Sequence, residues 1–169
     1  MIDHVTLRVR DLDAAKAFYA AALAPLGYRL GKEFPGALGL GAGGMLDFWL
    51  VGDAEAKPQH LAFSAPTRAG VDAFHAAALA AGGSDNGPPG LRLDYHPNYY
   101  ASFAFDPSGH NIEVVCHRAP GAAKQLAKGP KGAKAAARKS KVKKIAKGRK
   151  GAARLARKPT AKKNAKRRR

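Results

Sequence analysis

Three side chains in this 169-residue sequence are placed for metal chemistry: His4, His60 and Glu113. His4-Val5-Thr6-Leu7 and His60-Leu61-Ala62-Phe63 are similar stretches, and each imidazole opens its stretch. Glu113 follows in Asn111-Ile112-Glu113-Val114-Val115. Two imidazoles and one carboxylate can hold a divalent ion on one side and leave its other positions open. Open positions let substrate oxygens reach the metal. A plainer reading also exists, in which both histidines begin strands and bond to backbone while Glu113 is solvated.

Weaker candidates surround these three. His96 beside Tyr95 is a general acid or base, or an exposed loop residue. Tyr99 or Tyr100 donates to a substrate oxygen, or packs in the core. Arg8 holds an anionic group, or pairs on the surface with Asp3 or Asp11. Asp47 and Trp49 border the same face as substrate-binding candidates. His75 is expected to be structural, His110 and His117 exposed, and Cys116 a buried small hydrophobe.

The elements that carry these residues come as a repeat at an offset of 56. Ala17-Phe18-Tyr19-Ala20-Ala21-Ala22-Leu23 matches Ala73-Phe74-His75-Ala76-Ala77-Ala78-Leu79, and Gly27 matches Gly83. Each copy opens with an alternating strand (2–9, 60–65), followed by a helix (12–24, 68–81). Asp11 and Thr67 are the expected N-caps, and Gly27 and Gly82-Gly83 mark the exits. Three strands complete the first copy, at 28–34, 37–41 and 45–51. The second has a poorly defined one at 83–85, then 99–105 and 111–116. The Gly- and Pro-rich residues 85–98 read as a loop. The fold class is therefore α+β: two βαβββ modules forming a curved mixed sheet around a central cavity, plus a disordered basic tail.

Strand side chains alternate between faces with a period of two. Val5, Leu7 and Val9 oppose His4, Thr6 and Arg8; Leu61, Phe63 and Ala65 oppose His60, Ala62 and Ser64. Leu46, Phe48 and Leu50 oppose Asp47, Trp49 and Val51; Ile112, Val114 and Cys116 oppose Glu113 and His117. The apolar sets should pack under the helices, leaving the mixed sets on a polar concavity suited to a small molecule.

These residues resemble the vicinal oxygen chelate superfamily, which includes glyoxalase I, extradiol dioxygenases, fosfomycin-resistance enzymes and bleomycin-binding proteins. The resemblance rests on the paired modules, Ile2-Asp3-His4-Val5, His60-Leu61-Ala62-Phe63 and Asp106-Pro107-Ser108-Gly109-His110-Asn111-Ile112-Glu113. It covers about 1–118. It implies metal ligands at His4, His60 and Glu113 and a divalent metal cofactor: Fe, Mn, Zn or Ni. Glyoxalase-like members have a fourth ligand on the last strand of the first module. Here Trp49 aligns with that position, and a register shift of two would bring Asp47 there instead. The three-ligand pattern is nearer to the dioxygenase and fosfomycin-resistance branches.

Charge divides the chain. The formal net charge is +18, yet residues 1–118 hold 9 Lys or Arg against 12 acids. Residues 119–169 hold 21 bases and no acid, aromatic, His or Cys. We therefore expect a domain at 1–118, with modules at about 1–56 and 57–118, and a disordered Lys/Arg/Ala-rich tail at 119–169. The tail resembles linker-histone tails in composition. Its expected partner is the phosphate backbone of DNA or RNA, met by Lys139, Lys141, Lys143, Lys144, Arg167, Arg168 and Arg169 among others. One cysteine excludes a disulfide framework. No run is apolar and long enough to span a bilayer, and no secretory signal is evident, so a cytoplasmic or nucleoid-associated location is expected.

The leading functional expectation is a metal-dependent lyase or dioxygenase acting on a small oxygen-bearing substrate, as a homodimer. Two alternatives stand beside it. One is a metal-free binding module with Trp49 as a wall. The other is a nucleoid-associated protein that uses the fold as a dimeric scaffold.

Overall fold

The structure is a computed structural model and describes residues 2–120. The first module runs β1 (Val5–Val9), α1 (Leu12–Ala22), β2 (Arg29–Phe34), β3 (Ala37–Gly41) and β4 (Phe48–Gly52). The second runs β5 (His60–Ser64), α2 (Arg68–Ala80), β6 (Ser84–Leu91), β7 (Tyr100–Phe105) and β8 (Asn111–Cys116). The helices begin where the sequence predicts. The Asp11 carboxylate accepts from the Asp13 and Ala14 amides, and the Thr67 hydroxyl from Gly70. These bonds satisfy donors that a helix start otherwise leaves open. After α1, a 3-10 turn at Ala24–Leu26 leads into Gly27 at φ +88°, a left-handed exit that favours glycine.

The α+β class and the paired modules are as expected. The sheet is in two parts, each of four strands, ordered β1-β4-β3-β2 and β5-β8-β7-β6. In both, the first and last strands of the module pair in parallel and the other pairs are antiparallel. The second module departs from expectation at 85–98. Ser84–Leu91 is a strand despite Pro88 and Pro89, and only the residues after Leu91 form the loop. Prolines are tolerated there because β6 is an edge strand whose pairing with β7 shifts register twice.

The apolar faces pack as the alternation requires. Leu7, Val9, Phe48, Leu50, Phe63, Ile112, Val114 and Cys116 are all buried. Ala15, Phe18, Tyr19 and Ala22 of α1, and Val71, Phe74 and Ala78 of α2, cover them at helical spacing. Both modules share one core, and an edge-to-face contact of Phe48 with Phe63, ring centroids 5.1 Å apart, crosses between them.

The segment 106–110 ties the modules together with polar bonds. Asp106 is buried and accepts from the Ser108 and His110 amides through one carboxylate oxygen and from the Tyr19 hydroxyl through the other. Burial, reinforced by Asp106, pushes the Tyr19 phenol far above its usual range. Arg10 bonds to the Ser108 carbonyl, and its amide donates to the Ser108 hydroxyl. His110, expected at the surface, is instead fully buried. Its Nδ1 accepts from the Gln59 amide at 3.0 Å, so its Nε2 carries the proton and donates to the Arg8 carbonyl at 2.8 Å. A turn position hid this role, because its partners are distant backbone groups. His110→Ala strands both groups and should cost about 2–4 kcal/mol, read as a lower urea midpoint; an unchanged midpoint would contradict the strut.

Candidate functional site

The second sheet assembles two of the three predicted metal donors. β5 and β8 pair in parallel with Ala62 opposite Glu113 and His60 opposite Asn111. His60 Nε2 lies 3.2 Å from Glu113 Oε2. The other ring nitrogen, Nδ1, faces the Asn111 carbonyl oxygen at 3.2 Å. A carbonyl only accepts, so Nδ1 holds the proton, and a neutral ring presents a lone pair at Nε2. Two acceptors then face each other at a distance that calls for a shared cation or a second proton on the ring. A backbone carbonyl orienting an imidazole in this way is the usual arrangement behind a metal-bound histidine.

Glu113 is nearly inaccessible, with 4 % of its side chain exposed. Its second oxygen, Oε1, accepts from the Tyr99 hydroxyl at 2.5 Å. Burial first and the Glu113 carboxylate second push the Tyr99 phenol up to about 12. Tyr99 is therefore a fixed donor and not a base. The open question between the two tyrosines is settled by β7. Tyr100 opposes Cys116 on the helix side, and its hydroxyl donates to Asp72 of α2 beneath the Arg68 guanidinium. Tyr100 is thus not a residue of this site. That hydrogen bond is the main reason its phenol is raised.

His96 stands beyond Tyr99. Its Nδ1 accepts from the Asn98 amide, so Nε2–H donates to His117 Nδ1 at 2.8 Å. Both imidazoles pack edge-to-face against Tyr99. His96 and His117 are thus a hydrogen-bonded pair behind Tyr99, with no bond to Glu113 or His60. His75, as expected, has a structural partner in Asp85. The Gly87 amide and then His75 hold that carboxyl below its usual range.

His4 does not join His60 and Glu113. Among the described residues, no three His, Cys, Asp or Glu side chains come together where an ion could sit. His4 directly precedes β1 of the other sheet, with 55 % of its side chain exposed. Its Nδ1 donates to Asp3 at 2.8 Å, which leaves Nε2 with a free lone pair. The expected triad is therefore divided, because β1 and β5 are edges of separate sheets.

A cavity of about 420 Å³ lies where those edges meet, lined by Thr6, Arg8, Asp53, Lys57, Gln59 and His60 among others. Arg8 pairs at 3.1 Å with Asp53, not with Asp3 or Asp11. Asp47 lines a different cavity of about 190 Å³ and accepts from Tyr28. Burial and then Asp47 push the Tyr28 phenol up to about 12.

These two phenols give a signed pH dependence. Each holds its proton more tightly folded than unfolded, where tyrosine ionises at about 10. Their stabilisation is complete below that value and is lost as pH rises toward about 12. Phenolate absorbance should show ionisations delayed toward about 12, with one fewer of them in Tyr99→Phe. Ionisation of every tyrosine near the ordinary value would refute the assignment.

The first sheet answers the fourth-ligand question. β1 pairs with β4 with Thr6 opposite Trp49, as Ala62 is opposite Glu113 in the second sheet. Trp49, and not Asp47, holds the place equivalent to Glu113, and indole is not a ligand.

A sequence model of the Glyoxalase/Bleomycin resistance protein/Dioxygenase superfamily matches residues 1–114. The chain belongs to this superfamily. Among solved structures it is similar to a glyoxalase/bleomycin resistance protein from Albidiferax ferrireducens T118. The two are 29 % identical over 68 % of this chain and 97 % of that one, with a TM-score of 0.61. A family enzyme from Burkholderia phytofirmans PsJN shares the fold at 20 % identity, covering 69 % of this chain and 98 % of its own, with a TM-score of 0.56. A lactoylglutathione lyase from Agrobacterium tumefaciens does so at 24 % identity, 69 % and 92 % coverage and a TM-score of 0.52. No curated protein matches the chain.

In this superfamily domain, Tyr99 and the Asn111 carbonyl are the supports of the donor pair. Alternation could place Tyr99 on either face, and a backbone carbonyl leaves no mark in a sequence. The basic residues Lys139, Lys141, Lys143, Lys144, Arg167, Arg168 and Arg169 lie outside the described residues. Among the described residues no helix is long and apolar enough to cross a membrane.

Proposed function

We propose that the domain is a metal-dependent enzyme whose ion is held by His60 Nε2 and Glu113 Oε2, with His4 of a second copy as third ligand. The observation that carries this reading is the facing of two acceptors, with His60 Nδ1 pinned to a carbonyl. One chain supplies two donors that fit, and three protein ligands are the usual minimum for a catalytic ion. His4 is exposed, and its free Nε2 is preset by Asp3, which suits a donor supplied to another copy.

A divalent ion at this position, Fe, Mn, Zn or Ni, would stabilise negative charge on a substrate oxygen. The chain's own groups do the rest. Tyr99 holds Glu113 so that one oxygen remains for the ion. Arg8 can leave Asp53 to receive an anionic group at the cavity beside His60. Lyase and dioxygenase chemistry both suit this arrangement.

Dialysis of the full chain against zinc or manganese tests the proposal. Wild type should retain about one ion per chain, and His60→Ala only traces. A wild type that takes up none rules it out.

Residues 119–169 favour a second role as a separate segment. Their 21 bases without a single acid suit non-specific binding to nucleic-acid phosphates. DNA retention by the full chain should fall on the order of 10³-fold between low and moderate salt, a dependence absent when the chain ends at Arg118. Equal, salt-insensitive retention by both would dismiss it.

A further inference from the structure

We infer that the open face of the first sheet is a stacking platform for a planar aromatic anion. Trp49 and Phe34 lie on this face with ring centroids 6.1 Å apart and planes within 22° of each other. Phe34 is 56 % exposed, which is unusual for phenylalanine on a sheet face, and among the described residues it stacks only on Trp49. Gly39, the cross-strand partner of Trp49, makes the arrangement possible. A Cβ there would sit 3.0 Å from two carbons of the indole, so glycine lets the ring lie flat over β3. The result is an extended aromatic surface that the apolar core does not use.

Charge on the same face selects the ligand. Lys32 opposes Gly39 on β2, and Arg8 lies two residues beyond Thr6, which opposes Trp49 on β1. Cross-strand partners share a face. The aromatic surface is therefore flanked by the Lys32 ammonium and by Arg8, which would leave Asp53 to receive the carboxylate or similar anion of an aromatic ligand.

The platform also lies near the proposed metal. His4 precedes Thr6 by two residues, so strand spacing puts its Cα roughly 8 Å from that of Trp49. Any ion that His4 joins has Trp49 close by. In this respect the inference rests on the metal reading and adds to it a substrate class: planar, aromatic and anionic. The binding itself does not require the ion.

Trp49 is the only tryptophan, so its emission reports on the platform directly. Full-length protein freed of metal by a chelator is titrated with 2-naphthoate, benzoate and cyclohexanecarboxylate, with affinities measured by equilibrium dialysis. We expect saturable quenching by 2-naphthoate, weaker binding of benzoate, and at least 3-fold weaker binding of the saturated ring. Trp49→Leu and Phe34→Leu should each weaken 2-naphthoate binding about 3- to 10-fold, the range of an aromatic pair. Gly39→Ala should weaken it by tilting the indole while leaving Trp49 in place. Circular dichroism checks that each variant folds.

Equal affinity for the planar and saturated acids, or no effect of Trp49→Leu, overturns the platform. So does the absence of quenching with Trp49 shielded from iodide, because a second copy then covers the face. Metal uptake with no 2-naphthoate binding sinks the platform alone. Binding of 2-naphthoate to a protein that takes up no metal sinks the metal reading and leaves the platform standing.

Discussion

Glu113→Gln is expected to lower divalent-metal affinity by more than roughly 100-fold, a larger loss than removal of a supporting group produces. The substitution keeps the shape of the side chain and can still bond to Tyr99, so the fold should persist. What it removes is the negative charge at Oε2, 3.2 Å from the His60 lone pair. Tyr99→Phe should fall in between, at about 10- to 100-fold, because Glu113 keeps its charge but loses the donor that orients it. Calorimetric titration with zinc orders the three proteins. Equal affinity of wild type and Glu113→Gln would place the ion elsewhere. Mixing Glu113→Gln with His4→Ala protein adds a test of the shared site. If His4 acts on another copy, a mixed dimer regains one competent site of two, whereas each variant alone has none.

Asp106→Ala should be strongly destabilising while leaving the donor pair intact. Asp106 is 5 % exposed and accepts three hydrogen bonds, two from its own turn and one from α1 of the other module. Removing it leaves the Tyr19 hydroxyl buried without a partner and frees two amides. The cost of such a loss is about 3–5 kcal/mol, enough to lower the melting temperature by on the order of 10–20 °C. Tyr19→Phe should cost less, because it also leaves Asp106 two of its bonds. Thermal denaturation of the two variants separates them. A drop below about 1 kcal/mol for Asp106→Ala would show that water takes over these bonds.

The sequence is legible where one element speaks for itself. Alternation assigned the buried face of β1, β4, β5 and β8, and the repeat assigned the module order. Asp11 and Thr67 announced both helices through their own side chains. It is not legible where partners are distant or belong to the backbone. His110 looks like a turn residue until Gln59 and Arg8 are brought to it. Tyr99 and Tyr100 sit one residue apart, and only the pairing of β7 with β8 sends one to Glu113 and the other to α2. The edge strand β6 was hidden by its prolines, which local preference reads as loop. The largest gap concerns His4. Equivalence in a repeat fixes its place within a module, and says nothing of how two sheets in one chain are disposed.

The asymmetry between Trp49 and Glu113 has a consequence for how such a protein can change. A ring of identical modules would bear the same side chain at both places, so any substitution there would alter metal binding and ligand shape together. On the proposed metal reading, the duplicated module splits the two tasks. The donor pair sits on one sheet, while its counterpart on the other sheet is released from ligation. Selection can therefore reshape the surroundings of Trp49 toward new molecules while His60 and Glu113 stay untouched.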